Sequence, residues 1–462
     1  VNFLMVATIG TTQIQQRLDE MIEREEDRFR DRMKRSRQAH ERASGVLAGG
    51  VTSSWQTSSP QPIWADRASG PHLWDVDGNR YADYHNGYGA MLVGHAHPAI
   101  VAAVTERIAE GSHFAQPTSD AVVVAEELAR RYGLPLWRFA NSGTEATMDA
   151  VHLMRAVTGR SMLVKIEGAY HGHHDTVQVS VWNEREELES AIAPRGVLAG
   201  TGIPEEILDL TLVVPWNDLE AVEDVFAAYG ERIAGMIVEP IMMNAGIIPP
   251  VFGYLEGIRR ITRDHGALLA FDEVKTGFTV GPGGATQEFG VLPDLVCLAK
   301  SLGGGLPTAA VGGTNEVMEA IVSGEYEQVG TFNGNPLSMA AARATLCEVL
   351  DDAAYRHLDE LRQRIVAGTE ATIDQYELPA YSVAIGAKGA ITFATEPVRH
   401  YRQFLGQGDR HHYAAWLYQF NRGVFLPPWA KGEQWMVSVQ HTMEEADLFV
   451  ETFDAFARDL RA

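Results

Sequence analysis

Cysteine is almost absent: Cys297 and Cys347 are the only two in 462 residues, and they form no Cys-x-x-Cys pair. So few thiols in so long a chain exclude a disulfide framework and fit a reducing compartment, so the cytoplasm is the expected location. Long apolar runs are missing too. No stretch reaches the twenty or so uninterrupted apolar residues that a membrane-spanning helix needs, so no membrane association is expected. The opening Val1-Asn2-Phe3-Leu4-Met5-Val6-Ala7 is apolar but short, has no basic lead and runs into Thr11-Thr12-Gln13. It reads as a loose tail rather than a signal peptide. Positive charge is in deficit, with 38 Lys plus Arg against 61 Asp plus Glu and a net charge of −23. Phosphate backbones need a cationic face, so no nucleic-acid partner is expected. The densest basic run, Arg32-Met33-Lys34-Arg35, lies within Glu20–Arg42, where acids and bases are mixed. That segment reads as a solvated amphipathic helix.

What the chain does have is an ordinary apolar fraction, 45%, and a length suited to two packed units. Gly45 to Pro62 is rich in Gly, Ser, Thr and Pro and reads as a loop. Leu73 to Tyr84 (LWDVDGNRYADY) reads as a hairpin turning at Asp77-Gly78-Asn79. From about residue 95, short apolar runs alternate with helical patterns. The expected strands are Trp137–Ala140, Met162–Ile166, Leu212–Val214, Met236–Val238, Leu268–Phe271, Leu295–Leu298 and Ala309–Gly312. The expected helices are Ala121–Tyr132, Glu145–Val157, Asp218–Tyr229, Tyr254–His265 and Pro336–Leu350. This alternation predicts an α/β domain with a mostly parallel sheet, whose ligands sit beyond the carboxyl ends of the strands. Beyond residue 350 the pattern is a long helix, several strands and a final helix, more like α+β.

Four places carry candidate chemistry, each at or just after an expected strand. Asn141-Ser142-Gly143-Thr144-Glu145-Ala146 opens a helix with small residues, which suits either an anion at the helix N-terminus or simple capping. Glu167 to Asp175 (EGAYHGHHD) is rich in histidine. Asp272-Glu273-Val274 puts a carboxylate at the end of an apolar strand, where it needs a cationic partner. Cys297 to Pro307 (CLAKSLGGGLP) ends an apolar strand on Lys300, soon followed by three glycines. A lysine held in a poorly hydrated site has a lowered pKa and can act as a nucleophile. His95-Ala96-His97 and His171-Gly172-His173-His174-Asp175 could also be read as metal-ligand clusters.

In this order the motifs resemble the class III (omega) aminotransferases of the fold type I pyridoxal-phosphate enzymes, closest in pattern to the glutamate-1-semialdehyde aminomutases. The resemblance spans nearly everything beyond the N-terminal arm. It includes LWDVDGNRYADY, GHAHP (Gly94–Pro98), NSGTEA, AYHGHHD, PWNDLEAV (Pro215–Val222), VEPI (Val238–Ile241), FDEVKTGF (Phe271–Phe278), LPDLVCLAKSLGGGLP and GTFNGNPLS (Gly330–Ser338). It implies the cofactor pyridoxal 5'-phosphate and a large central domain, 76–345. It also implies a smaller α+β domain built from an N-terminal arm and segment, 1–75, and a C-terminal part, 346–462. Both histidine clusters fall in motifs that need no metal.

The resemblance assigns roles residue by residue. Lys300 matches the lysine that holds the cofactor as a Schiff base and shuttles the substrate proton. Asp272 matches the aspartate that keeps the pyridine nitrogen protonated. Val274 matches the residue packed on one ring face and Tyr170 the aromatic on the other, with His171 beside it among the cofactor-binding residues. Ser142, Gly143 and Thr144 match the phosphate-binding turn. Asn217 resembles a polar neighbour of the phenolic oxygen, and Glu239 a conformational partner near the active site. Thr331 matches a residue that reaches the neighbouring subunit's cofactor, which implies a homodimer with shared active sites.

Departures fall on the substrate side. After Gly49-Gly50-Val51, the position matching the aminomutases' carboxylate-binding arginine holds Gln56, which offers hydrogen bonds but no charge. Tyr88 stands for the pocket tryptophan, Thr279 for a frequent arginine, and Lys275 is unusual. The segment Leu426 to Trp435 departs in detail. Trp55, Gln56 and Tyr88, with Phe332 expected nearby, therefore form an apolar and aromatic substrate pocket. The first reading is an aminotransferase that passes an amino group from an amine or amino acid to a keto acid or aldehyde, with a bulky apolar substrate. An aminomutase-type amino shift is the second reading, and a racemase or decarboxylase on the same scaffold the third. Lys431 is a candidate for the missing charge.

Overall fold

The hairpin forms where the turn residues place it. Gly78, at φ +90°, turns the chain between β2 (His72–Asp75) and β3 (Arg80–Asp83), and β1 (Ala65–Ser69) adds on the outer side. The Asp75 carboxylate accepts from the Asn79 backbone N–H at 2.8 Å and the Tyr81 hydroxyl at 2.7 Å, which closes the turn. This computed structural model describes residues 2–190, 193–428, 431, 432 and 434–462, with side chains from residue 14 onward apart from Ser190. Val1, Trp429, Ala430 and Glu433, all touched by the sequence reading, lie outside the described residues.

The central sheet has seven strands: β4 (Leu136–Ala140), β5 (Met162–Ile166), β6 (Thr211–Val214), β7 (Ile233–Val238), β8 (Leu268–Asp272), β9 (Leu295–Leu298) and β10 (Ala309–Gly313). Their spatial order is β4-β10-β9-β8-β7-β5-β6. Only β10 runs antiparallel to its neighbours; the other pairings are parallel. Every strand from β5 to β9 reads as a near-continuous apolar run because helices cover both faces of the sheet. The helix Gly143–Thr158 lays Ala146, Ala150 and Met154 on one face. The helices Leu219–Tyr229 and Tyr254–Asp264 lay Val222, Phe226, Ile258 and Ile261 on the other. The expected Pro336–Leu350 helix is α-helical from Pro336 to Ala344 and continues as a wider π turn, Thr345–Val349.

After the long helix Asp352–Gln375, β11 (Tyr381–Ile385) and β12 (Lys388–Thr392) form a second hairpin. The helix Asp409–Phe420 follows. β13 (Val424–Phe425) then returns to pair in parallel with β3, and β14 (Trp435–Met436) pairs with β12. The final helix, Met443–Arg461, starts on a capping box between Thr442 and Glu445.

Two expectations about the N-terminal arm are corrected. The opening read as a loose tail is helical from Asn2, within one helix Asn2–Arg32. The arm is amphipathic but not simply solvated. Leu18, Met21, Phe29 and Met33 are buried against the Asp409–Phe420 and Met443–Arg461 helices, beside Trp416, Phe420, Phe453 and Phe456. Buried Glu25 accepts from both guanidinium nitrogens of Arg422, at 3.0 and 3.2 Å, which compensates the charge the docking buries.

Candidate active site

Parallel strands deliver their last residues to one edge of the sheet, and a cavity of about 1010 Å³ opens there. Asn141 to Thr144 follow β4, Tyr170 to His173 follow β5, and Glu239 follows β7. Asp272, Val274 and Lys275 stand at the end of β8, and Lys300 just after β9. Trp55 closes the cavity from the N-terminal loop. Residues separated by more than 240 positions in sequence thus share one wall.

One end of the cavity is built for an anion. Ser142 caps the helix Gly143–Thr158 by accepting from the Glu145 N–H, so the N–H groups of the first turn have no partner within the helix. A Cβ added to Gly143 would lie 3.0 Å from both methyls of Val274, and one added to Gly172 would lie 2.7 Å from the Thr144 Cα. Glycine at these positions lets backbone replace side chain at the cavity wall.

The other end presents a buried carboxylate that could pair with a cationic ring nitrogen. Asp272 is buried, with Oδ2 at 2.8 Å from His171 Nδ1 and Oδ1 accepting from the Val274 N–H at 3.0 Å. His171 is itself fully enclosed, so it fixes the carboxylate from behind while the front faces the cavity. Tyr170 is positioned by Glu239, whose Oε1 accepts from the Tyr170 N–H while Oε2 accepts from the Met243 N–H and the Asn244 amide, all at 2.9 Å. Burial, reinforced by the Asp272 charge, pushes the Tyr170 phenol up to about 12, so it stays a neutral ring.

Lys300 sits at φ +47°, in the left-handed region that a non-glycine residue enters at a cost of about 1–3 kcal/mol. Tyr88 and Trp182 share this rare backbone, at φ +56° and +59°. These rings join Trp55 and Tyr170 in one aromatic group. Trp182 stacks on Tyr170 at 4.7 Å, and Trp55 lies 5.1, 5.3 and 5.8 Å from Tyr88, Tyr170 and Trp182. Trp182, Asn244 and the segment Ala199–Ile203 also line the cavity and were not among the expected residues. Nothing in the sequence around Trp182 marks it; only the fold brings it over Tyr170.

Several expected residues lie elsewhere. Asn217 is outside the cavity: its amide donates to the Pro249 and Arg399 carbonyls and its oxygen accepts from the Val251 N–H, so it ties loops together. Gln56 is exposed and outside the cavity, with Oε1 accepting from the Thr52 N–H and hydroxyl. Tyr88 stands one ring behind Trp55 and donates to its carbonyl. Thr331 is exposed and borders a separate cavity; its neighbour Phe332 packs on His113 and does not line the candidate site. Thr279 is buried and turns its hydroxyl back onto the Lys275 carbonyl. Lys431 is held by Asp409 at 2.8 Å and brings no charge to the cavity. In the histidine clusters, His95 pairs with Asp83 at 2.6 Å and His97 caps the helix Pro98–Glu110. Burial holds His174 down to about 4.

An anion cradle, a buried carboxylate, two flanking apolar groups and a lysine on one wall fit pyridoxal phosphate. Comparison with known proteins agrees. The family model "Aminotransferase class-III" matches residues 53–408. A glutamate-1-semialdehyde 2,1-aminomutase of Thermomicrobium roseum is 41% identical over 415 residues, covering 88% of this chain and 94% of that one. A crystal structure of a glutamate-1-semialdehyde aminomutase from Pseudomonas aeruginosa in complex with PMP superposes with a TM-score of 0.89 at 30% identity, covering 96% and 99% of the two chains. An omega-transaminase from Sphaerobacter thermophilus gives 0.87 at 32%, covering 92% and 97%. The chain belongs to the class-III aminotransferases, with the fold of the type I pyridoxal-phosphate enzymes and pyridoxal 5'-phosphate as its cofactor.

Proposed function

We propose that the enzyme shifts an amino group within one small substrate, as a glutamate-1-semialdehyde 2,1-aminomutase does. The observation that carries this reading is the 41% identity to such an aminomutase across 88% of the chain. When bound, pyridoxal phosphate supplies the electron sink that acidifies the C–H beside the substrate nitrogen. The chain's own residues then divide the work. Ser142, Gly143 and Thr144 hold the phosphate, Val274 and Tyr170 flank the ring, and Asp272, steadied by His171, keeps the ring nitrogen protonated. Lys300 Nζ takes the proton from the substrate carbon and returns it as the amino group changes place.

A second reading, transamination of a substrate with a bulky apolar portion, is favoured by the aromatic group of Trp55, Tyr170 and Trp182 that lines the cavity. Burying aromatic or alkyl surface there stabilises binding by about 25 cal/mol per Å². On either reading, the partners are small amino compounds. We infer a cytoplasmic homodimer from the cysteine usage and from Thr331, which stands away from its own cavity. Purified enzyme should convert glutamate-1-semialdehyde to 5-aminolevulinate without an external amino acceptor. A rate no higher than that of a non-enzymatic control, alongside rapid transfer from a bulky amine to a keto acid, would establish the second reading in place of the first.

A further inference from the structure

From Val177 to Asn183 every side chain is buried except one, and that one is a tryptophan. Val177, Val179 and Val181 are fully enclosed and Ser180 nearly so, whereas Trp182 is 50% exposed and lines the cavity. Burial alone would select the reverse, since the indole is the largest apolar group in the segment. The backbone at Trp182 is also the costly left-handed one, at φ +59°. A large apolar side chain turned outwards on a strained backbone needs a partner. That partner is Tyr170: the two rings stack at 4.7 Å with 22° between their planes.

The segment that carries Trp182 is anchored at several points. Buried Lys165 of β5 donates to the Val179 carbonyl at 2.8 Å and to the Ile166 carbonyl at 3.1 Å. The Gly168 N–H donates to the Ser180 carbonyl at 2.7 Å and the Ser180 N–H to the Val197 carbonyl at 2.6 Å. The Asn183 amide donates to the Leu198 carbonyl at 3.0 Å. The C-terminal part adds a further hold through the helix Tyr401–Leu405, where the Arg402 guanidinium donates to both oxygens of Glu167, at 2.8 and 2.9 Å. Tyr401 packs where a Cβ on Gly168 would collide with its ring, and its phenol lies against the Trp182 backbone N–H. These contacts set the height and direction of the indole over Tyr170. Tyr170 is held at its own backbone by Glu239, so the stack joins two fixed supports.

We propose that Trp182 is the positioning residue for Tyr170, backing the phenol ring on the face it does not offer to pyridoxal phosphate. A ring fixed only through its backbone still turns about its side-chain bonds, and a second flat ring stacked on it removes that freedom. Trp55 lies 5.3 Å from Tyr170 at 50° and 5.8 Å from Trp182 at 72°, so it bounds the stack from the side without joining it. The role is exercised toward the cofactor and holds whichever way the amino group moves; it rests only on Tyr170 flanking the cofactor ring.

Apoenzyme would be titrated with pyridoxal 5'-phosphate, following the absorbance and the visible circular dichroism of bound cofactor. The proteins compared are the wild type, Trp182→Ala, Trp182→Phe, Tyr170→Ala and the double variant carrying both alanines. Trp182→Ala should weaken cofactor binding about fivefold and flatten the dichroism, while Trp182→Phe stays within about twofold of wild type. With Tyr170 already removed, the loss of Trp182 should change nothing further, because the indole acts through that ring. Unchanged affinity and dichroism in Trp182→Ala, alongside weaker binding by Tyr170→Ala, overturns the proposal and leaves the cofactor site as described. So does a double variant whose loss is the product of the single losses. A raised KM in Trp182→Ala at unaltered cofactor affinity would make the indole a substrate contact alone, and overturns it as well. Unaltered binding by Tyr170→Ala would instead defeat the placement of Tyr170 beside the ring, and the proposal with it.

Discussion

Lys300 occupies a backbone conformation that most side chains avoid, and the short helical turn Lys300–Gly303 with its following glycines holds it there. Strain of this kind persists only where the surroundings over-determine it. Ser301 contributes by donating to the Gly89 carbonyl at 2.6 Å. Lys300→Ala should abolish turnover and the borohydride-trappable link to the cofactor. Asp272→Asn should retain much of the cofactor but slow proton removal by orders of magnitude, because the ring nitrogen loses its counter-charge. Spectra and single-turnover rates of the two variants check both; normal turnover by Lys300→Ala would refute the assignment. At this scale the sequence placed residues at the cavity wherever they sit in a contiguous motif at a strand end, as for Gly143, Asp272 and Lys300. It was blind to Trp182, whose place over Tyr170 depends on a left-handed turn with no glycine to announce it. It also put Asn217 and Gln56 in the pocket, where local hydrogen bonds hold both outside.

Elements were legible in proportion to how strongly burial dictates their residues. The strands from β5 to β9 are covered on both faces, so their apolar runs stand out, and Met162–Ile166 and Leu295–Leu298 were read with the observed bounds. The strand β1 (ADRAS) is largely exposed and polar, and it passed unread. The helix Pro98–Glu110 was missed although Pro98 stands in its first turn with His97 as cap. The turn between β14 and the final helix carries a pH dependence. His441 is buried and its Nδ1 accepts from the Ser438 N–H at 3.1 Å, so that nitrogen has no room for a proton. Burial holds His441 down to about 4 against an ordinary 6.5. Between these values the unfolded chain binds the proton and the folded chain does not. Stability is therefore full above pH 6.5 and falls as the pH drops towards 4, by roughly 3 kcal/mol for this ring. His441→Gln should flatten the decline in urea midpoint between pH 6.5 and 4; an unchanged slope would show that the ring does not couple to folding.

At the scale of the whole molecule, the informative feature is the place of Thr331. The resemblance gives it a cofactor-contacting role, yet it is exposed on the rim of a different cavity, beside exposed Val329 and Phe332. In the proposed homodimer a twofold partner would bring Thr331 to the neighbouring site, and an apolar exposed segment is what such a partner would cover. The chain's charge of −23 is no obstacle, since an isologous interface needs only its own patch to be apolar. A homodimer with crossed sites makes a quantitative prediction. Lys300→Ala and Thr331→Ala subunits, each weak or inactive alone, should recover activity when unfolded together and refolded as a mixture. Random pairing makes half the dimers hybrid, and each hybrid has one site with both groups intact, so recovery should approach roughly a quarter of wild type. Activity no greater than the sum of the separate variants would mean that Thr331 serves its own chain or none. A fully active monomer in sedimentation would remove the shared site altogether.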